Sequence, residues 1–220
     1  MRVVGSYMRT IFRRIAVGLV FAWVVVFSSG ATASPSLSVS YLIHPDDPIL
    51  GNPHGSVTIV DFYDTSCVPC RIMARRIKRL IVTDPNIRYV PIDMPILGSQ
   101  SILGARALIA ASMQGKFLAM QTRLLNQVRL PTTNLLRSDA TELGLNVPLF
   151  MRDMTSRSTV QAVNKTLRRG VTLGIHYVPV IYVNHTRIPG AISYRDLRWF
   201  VTHPDEQFIL ESAPRPHSFS

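Results

Sequence analysis

The two cysteines of this 220-residue chain lie three residues apart, in the motif Cys67-Val68-Pro69-Cys70. A cysteine at the start of a helix faces unpaired backbone N–H groups and the positive end of the helix dipole, and both favour thiolate over thiol. We therefore expect the pKa of Cys67 to fall below the free value of roughly 8.5. Cys70 would lie on the same side of the first turn, where its thiol can close a disulfide with Cys67. The spacing predicts a redox-active dithiol, with Cys67 as the nucleophile and Cys70 as the resolving, more buried thiol.

The segments on either side of the motif predict a strand and a helix that would position it. Val57–Tyr63 is rich in β-branched and aromatic residues, which predicts a short buried strand. Residues 67–82 place apolar side chains on one stripe and cations on the other, which predicts an amphipathic helix. Pro69 fits the first turn because N–H groups there have no helical partner to lose, and we expect Arg71 and Arg75 to stabilise the thiolate further. Strand, Cys-x-x-Cys turn and helix together are typical of a thioredoxin-like redox site.

Three other kinds of site use the same residues. A zinc site would need a second cysteine pair or a His-x3–5-His motif, and the sequence contains neither. A purely structural disulfide is an alternative, but so small a loop restrains little chain entropy. A Cu(I) carrier could use Cys67, Cys70 and Met73, since Cu(I) prefers soft sulfur ligands, yet the eight methionines are scattered along the chain. We predict neither a metal nor a cofactor, and a peptide-binding domain with a relic dithiol is the remaining alternative.

The N-terminal residues 1–33 have the pattern of an export signal. Four arginines form a basic start, Ile15–Phe27 is apolar, and Ala31-Thr32-Ala33 supplies an A-x-A cleavage site. The apolar run is short for a membrane span, which needs about 20 residues, although an uncleaved anchor is an alternative. Removing the signal lowers the formal charge from +11 to +7, because the segment holds four arginines and no acid. We therefore predict a periplasmic protein, in an oxidising compartment where disulfide chemistry persists.

The remainder of the chain predicts one α/β domain with a block of helices in its middle. Ile87–Ile92 reads as a second strand, parallel to the first through the helical crossover. Residues 178–183 and 186–188 read as a hairpin with Asn184-His185 as its turn, and Ser193–His203 reads as a closing helix. Helices between these strands are predicted near residues 101–114, 116–127, 133–143, 147–154 and 157–169. The mature length suits a single domain with a substantial core.

With these residues in place, the chain resembles the DsbA-type family of bacterial periplasmic thiol–disulfide oxidoreductases. The matching stretches are LGNPHGSVTIVDFYD at 50–64, the Cys-x-x-Cys helix, PILGSQSILGARALIAASMQGKF at 95–117, GIHYVPVIYVN at 174–184 and IPGAISYRDL at 188–197. The resemblance implies an α/β thioredoxin-like fold with an inserted α-helical domain. The expected divisions are a signal at 1–33, a leader at 34–55, thioredoxin halves at 56–96 and 174–205, a helical insertion at 97–173 and a tail at 206–220.

The resemblance also implies roles for residues around the dithiol. Pro179 falls where the family keeps a cis-proline, which would turn the backbone of Val178 toward the dithiol and an extended substrate. The alternative is an ordinary proline at a strand start. Asp61 matches the family's buried acid, whose pKa would be raised and which could relay a proton to Cys70. Its alternative is an acid bonded to solvent. Val68 and Pro69 complete the residues expected to meet the substrate.

Val68 and Pro69 are also where the sequence departs from the family. Between the cysteines the family commonly has proline followed by histidine or tyrosine. Without a histidine the thiolate loses one stabiliser, which favours a weaker oxidant, and proline before the second cysteine is the arrangement of thioredoxin-like reductants. We predict an enzyme that forms or exchanges disulfides in exported proteins, with a thiol reductase or isomerase for specific clients as the alternative.

The expected partners follow from this function and from the charge pattern. The expected substrates are exported protein thiols or disulfides, and a membrane redox partner would recycle the dithiol. Lysines and arginines are scattered without stacking aromatics, which argues against nucleic-acid binding. The leader is too short for an oligomerisation domain, which favours a monomer.

Overall fold

The computed structural model describes residues 39–204. The predicted signal, residues 1–33, and the predicted tail, residues 206–220, lie outside the described residues. In chain order the elements are α1 (Val39–Leu42), β1 (Leu50–Gly51), β2 (Val57–Tyr63), α2 (Val68–Thr83), β3 (Ile87–Asp93), α3 (Ser99–Ser112), α4 (Phe117–Asn126), α5 (Thr133–Glu142), α6 (Val147–Met154), α7 (Arg157–Thr172), β4 (Val180–Val183), β5 (Thr186–Pro189) and α8 (Tyr194–Thr202). No helix within residues 39–204 is both long and apolar enough to cross a membrane.

Strand β2 is the centre of a five-stranded sheet with the order β1-β3-β2-β4-β5. It pairs in parallel with β3, from Val57 opposite Ile87 to Tyr63 opposite Asp93, and antiparallel with β4. Six of its seven residues are buried, because helices and loops cover both faces of the sheet. This burial explains why the strand reads as an almost continuous apolar run rather than as an alternating one. The predicted strand at Val57–Tyr63 and its parallel partner are confirmed.

The β4–β5 hairpin is tied to the central strand through its turn. Asn184 adopts a φ of 47°, a left-handed conformation that asparagine tolerates better than most residues. Its side-chain oxygen accepts the N–H of Thr58 at 2.7 Å, and its own N–H donates to the Thr58 carbonyl at 2.8 Å. The predicted hairpin is confirmed, although β4 begins at Val180, two residues later than predicted, because Val178 and Pro179 form the turn that leads into it.

Helices α3 to α7 follow one another between β3 and β4, and their apolar core reaches the dithiol. The same cluster of buried residues contains Ala107, Leu124 and Phe150 from the helices together with Cys67 and Cys70. Helix α3 can approach the loop before Cys67 because residue 104 is glycine. A Cβ there would lie 2.5 Å from Thr65 Oγ1. The boundaries of the helical insertion, 97–173, remain a prediction.

The predicted leader at 34–55 contains two short elements. Within its described part, the chain forms the short helix α1 and the two-residue strand β1, which pairs antiparallel with β3. Arg169 on α7 donates to both carboxylate oxygens of Asp47, at 2.9 and 2.8 Å, and to the Leu42 carbonyl. Both elements are too short to carry a periodic pattern, so the sequence could not reveal them.

Candidate active site

Cys67 is the N-cap residue of α2, with φ −84° and ψ 119°. Its sulfur accepts the backbone N–H of Cys70 at 3.2 Å, and it lies 3.7 Å from the Val178 carbonyl oxygen. Only 5% of Cys67 is exposed, whereas the next residue, Val68, is 63% exposed. Both cysteines are free thiols in the structure. The predicted nucleophile thus lies beside an exposed residue, at the end of the helix that favours an anion.

Hydrogen bonds from Cys70 dominate the electrostatics of Cys67. The Cys70 thiol, and after it the Cys70 backbone N–H, lower the pKa of Cys67, whereas burial and the carboxylates of Asp64 and Asp61 oppose that lowering. The direction agrees with the expectation from the helix start. Arg71 was expected to stabilise the Cys67 thiolate. Instead, its Nε and Nη2 both donate to the Thr65 carbonyl at 3.2 Å. Arg71 therefore holds the loop before the cysteine.

Cys70 is the buried member of the pair, with no exposed surface. The hydrogen bond that it gives to Cys67 and its burial together raise the pKa of the Cys70 thiol. A group that favours its protonated form and has no exposure is a poor nucleophile toward a protein substrate. The two thiols of the motif are therefore unequal, and Cys67 is the one that ionises more readily.

Asp61 lies on β2, fully buried beneath the active-site end of the sheet. Its Oδ2 accepts the Tyr89 hydroxyl at 3.1 Å, and no partner for Oδ1 occurs among the described residues. Burial raises the pKa of Asp61 to about 7, against a smaller lowering by the Tyr89 hydrogen bond. Full burial does not fit the alternative of a solvent-bonded acid. A carboxyl poised near neutrality beside two thiols has the chemistry of a proton donor and acceptor.

Val178 and Pro179 lie across from the helix start. The Val178–Pro179 peptide bond is cis, as the resemblance implies. Pro179 is buried, and its carbonyl accepts the Gly190 N–H at 2.9 Å, which joins the loop to the end of β5. The Val178 carbonyl points at Cys67 within 3.7 Å. The structure therefore brings together Cys67, Cys70 and Val178, with Asp61 below them.

Two tyrosines were missed by the sequence reasoning. Tyr89 donates to Asp61, and the hydroxyl of Tyr63 accepts from Gln121 Nε2 at 3.0 Å. Burial is the main reason that the pKa of each tyrosine is raised. The parallel register pairs Ile59 with Tyr89. Because alternate residues of a strand share a face, that register could have placed Tyr89 near Asp61.

The sequence reasoning also missed two acids, Asp64 and Asp93. The carboxylate of Asp64 accepts the N–H groups of Ser66 and Leu97, at 2.8 and 3.1 Å, and so shapes the loop before Cys67. Asp93 ends β3, and burial, followed by the nearby Asp64 charge, raises the pKa of Asp93. Asp93 as a whole is half-buried, but its two carboxylate oxygens are buried, and nothing in the local sequence indicates this.

Metal-ligating side chains are not clustered in this region. Within residues 39–204, no three His, Cys, Asp or Glu side chains come together as a metal site. Met73 is buried with Ile77 and Leu80 in a different apolar cluster from the one that holds the two cysteines. The Cu(I) alternative therefore gains no third ligand from Met73.

Comparison with known proteins decides the family. A family model described as thioredoxin matches residues 44–203. The chain belongs to the thioredoxin family. A solved thioredoxin-like oxidoreductase from Silicibacter pomeroyi DSS-3 is 32% identical, with a TM-score of 0.68 over 73% of this chain and 93% of that one. The thiol-disulfide exchange protein alpha-DsbA2 from Wolbachia pipientis is 25% identical, with a TM-score of 0.66 over 72% of this chain and 87% of that one.

More distant relatives share the fold or a part of a longer chain. The catalytic domain of Proteus mirabilis ScsC is 18% identical, with a TM-score of 0.67 over 75% of this chain and 93% of that one, which shows the fold alone. The Na(+)/H(+) antiporter NhaA of Herminiimonas arsenicoxydans is 25% identical over 194 residues, covering 87% of this thioredoxin-family chain but 31% of the antiporter. NhaA 3 of Salinispora tropica is 26% identical over 70% of this chain and 24% of the antiporter. The chain spans less than a third of the length of these curated relatives. The predicted thioredoxin-like fold and the likeness to DsbA-type oxidoreductases are confirmed.

Proposed function

We propose that this chain is a thiol–disulfide oxidoreductase that forms or exchanges disulfides in exported proteins through the Cys67–Cys70 couple. The observation that carries the proposal is the position of the Cys67 sulfur. It accepts the Cys70 N–H at 3.2 Å and lies beside the Val178 carbonyl at 3.7 Å. A sulfur held at a helix start leaves readily as a thiolate, which is the property that thiol–disulfide exchange requires of it.

In the oxidising direction the exchange proceeds in two displacements. A substrate thiolate attacks Cys67 of the Cys67–Cys70 disulfide, the bond between the two cysteines breaks, and Cys70 leaves with the electron pair and takes a proton. A second substrate thiolate then attacks the substrate sulfur of the mixed disulfide and releases Cys67 as a thiolate. Two electrons pass from the substrate dithiol to the enzyme. Asp61, with its pKa of about 7, is the group that gives the proton to Cys70 and takes it back when the disulfide re-forms.

The substrate segment is placed by the loop opposite the helix. The backbone of Val178, set by the cis bond to Pro179, would pair with an extended substrate strand in the manner of strand addition. Val68 and Pro69 are both exposed and form the other wall, against which the substrate residue next to the reacting cysteine would pack. Specificity would then rest on backbone pairing, which suits an enzyme with many clients.

The same proposal covers the export, the compartment and the redox partner of the enzyme. Residues 1–33 act as its export signal, the periplasm is its compartment, and a membrane redox partner accepts the two electrons and restores the disulfide. We propose that it acts as a monomer. The basic start and the A-x-A site of the signal support export.

The proposal is tested by the redox equilibrium of the full chain with glutathione and by its exchange rate with a reduced, unfolded client. We expect a two-electron equilibrium and catalysed disulfide formation, both lost in Cys67→Ser. If the double variant Cys67→Ala, Cys70→Ala transfers disulfides as fast as the parent, the proposal is wrong and a binding domain with a relic dithiol takes its place.

A reductase or isomerase is the second candidate, favoured by the residues between the cysteines. The side chains of Val68 and Pro69 hold no hydrogen-bond donor, so the Cys67 thiolate depends on Cys70 for its stabilisation. A potential near the thioredoxin value of about −270 mV would support reduction, and one near the DsbA value of about −120 mV would support oxidation. In Pro69→His, the added donor should move the potential toward the oxidising value, and the matched Pro69→Phe variant should not.

A further inference from the structure

An open groove of about 970 Å³ lies between helices α2 and α4. Its walls are mainly apolar: Leu50, Ala74, Ile81, Leu118, Ala119 and Leu125. We call it the α2–α4 groove. At its mouth Val82 is 79% exposed and Leu118 is 51% exposed. An apolar concavity of this size lies at the upper end of the range of small-molecule sites, about 300–1,000 Å³.

The charges around the α2–α4 groove are all of one sign. Arg71, Arg75 and Lys78 line it from α2, and Lys116 lines it from the residue before α4. The lining residues include no aspartate and no glutamate. Spacings of four and three residues place the three α2 cations on one helix face, and Arg75 and Lys78 are exposed. A ligand of this groove therefore needs an anionic group at its polar end.

The floor of the α2–α4 groove offers little to a polar ligand body. Tyr89 and Gln121 line it, yet the Tyr89 hydroxyl is bonded to Asp61 and the Gln121 amide nitrogen donates to Tyr63. Both residues are 4% exposed. Because the Tyr89 hydroxyl and the Gln121 amide nitrogen already have protein partners, the floor that a ligand would meet is mainly apolar. The ligand body should be apolar and long enough to leave its head group at the rim.

We propose that the α2–α4 groove binds a long-chain carboxylate, with the hydrocarbon chain between Ala119 and Leu125 and the carboxylate against Arg75 and Lys78. The proposal does not rest on the redox function, although Arg71, which holds the loop before Cys67, also lines the groove. Burying the chain removes apolar surface from water, and the paired cations give the head group charge-assisted hydrogen bonds.

The test uses oleate, below its aggregation concentration, titrated into the full chain with methyl groups labelled for NMR. We expect saturable binding that shifts the methyl signals of Ala74, Ala119 and Leu125. Methyl oleate, which has the same chain without the charge, should bind at least tenfold more weakly. Arg75→Glu, Lys78→Glu should weaken oleate at least tenfold, while Arg168→Glu, which reverses an exposed cation on α7, should leave it unchanged.

A second variant protects the result from a folding artefact. Ala119→Trp fills the groove and should abolish the oleate shifts, and thermal unfolding verifies that each variant is folded. The charge-reversed double variant should instead bind dodecylamine. The proposal fails if oleate does not bind, if Arg75→Glu, Lys78→Glu binds it as well as the parent, or if the shifted methyls lie elsewhere. It also fails if an acidic amphipathic peptide gives these shifts and oleate does not, since that assigns the groove to a protein partner.

Discussion

Asp61 and Asp139 are two aspartates with no exposed surface, one in the sheet and one among the helices. Asp139 on α5 is surrounded by donors: Arg123 Nε reaches Oδ1 at 2.7 Å, and Gln127 Nε2 reaches both oxygens, at 2.7 and 2.6 Å. Within residues 39–204, Asp61 has one donor, the Tyr89 hydroxyl at 3.1 Å, and no cation bonded to it. The two carboxylates are equally buried, but they differ in the number and charge of their hydrogen-bond partners.

The difference separates a structural acid from one that can exchange a proton. Donors and a cation around a carboxylate offset the cost of taking its charge out of water, and the ion pair of Asp139 with Arg123 fastens α4 to α5. Arg123 extends that attachment to Glu142. At Asp61 the Tyr89 hydrogen bond offsets only a small part of this cost, so burial raises the pKa of the carboxyl to about 7. The number and charge of its partners, more than burial, distinguish the acid that we propose as a proton carrier.

The largest effect should come from Cys67→Ser, which tests whether the region of Asp61 is the reactive one. Losing the nucleophile should lower the rate of disulfide exchange by at least about a thousandfold, with the free energy of unfolding nearly unchanged. The measurement is the rate of disulfide exchange with a model dithiol peptide, monitored by mass spectrometry. Cys70→Ser is the matched control, because it should still be trapped as a mixed disulfide through Cys67. Residual exchange within tenfold of the parent would contradict the assignment.

Asp61→Asn should have the next largest effect, with opposite signs on activity and stability. Removing a general acid–base group should slow exchange by about a hundredfold. The folded pKa is raised above the unfolded one, so the folded protein binds more protons between about pH 4 and 7, and the parent loses stability as pH rises through that window. Asparagine removes that loss, which predicts a gain of about 4 kcal/mol in the free energy of unfolding at pH 8. Urea unfolding at pH 4 and pH 8 measures it.

Unlike Asp61→Asn, Asp139→Asn should lower the free energy of unfolding and leave the exchange rate unchanged. It leaves the guanidinium of Arg123 without its buried partner, and the free energy of unfolding should fall by about 2 kcal/mol, a figure reduced because Arg123 is partly exposed. The exchange rate per folded molecule should stay the same. Urea unfolding and a client assay on one preparation measure both quantities. A slower exchange with unchanged stability would erase the distinction between the two acids.

Tyr89→Phe should give the smallest effect and test the single donor of Asp61. The Tyr89 hydroxyl lowers the pKa of Asp61, so its removal should raise that pKa, by about one unit at most. Carbon-13 NMR of labelled aspartate reports it directly. Tyr182→Phe is the control, since Tyr182 packs edge-on against Phe62 at 6.1 Å between ring centroids. A pKa that falls in Tyr89→Phe would mean that the hydroxyl does not stabilise the carboxylate.

The sequence predicted what local patterns determine. The strand before the motif, the helix after it and the position of Cys67 at the helix start all follow from residues adjacent in the chain. The helices near 133–143 and 147–154 also lie where their periodicity placed them, within one residue at each end. The likeness to a family supplied the expectation of a buried Asp61 and a cis bond at Pro179, which composition alone could not provide.

What the sequence could not predict depends on partners far along the chain. The Tyr89 hydroxyl at Asp61 and the Gln121 amide at Tyr63 join residues 28 and 58 positions apart. The expected electrostatic role of Arg71 failed for a different reason, since its guanidinium donates to the carbonyl of Thr65, six residues away. Charge at a sequence position says little about where a long side chain puts its head group.

The pairing of β2 with β4 has a consequence for how the chain is made. Residues such as Phe62 and Val180 meet across about 120 positions, so one edge of the central strand has no neighbour until almost the whole domain has been synthesised. Contacts this distant in sequence slow folding, and an apolar edge left open invites association with other chains. A chain with this topology therefore depends on protection against association until its last strands have been synthesised.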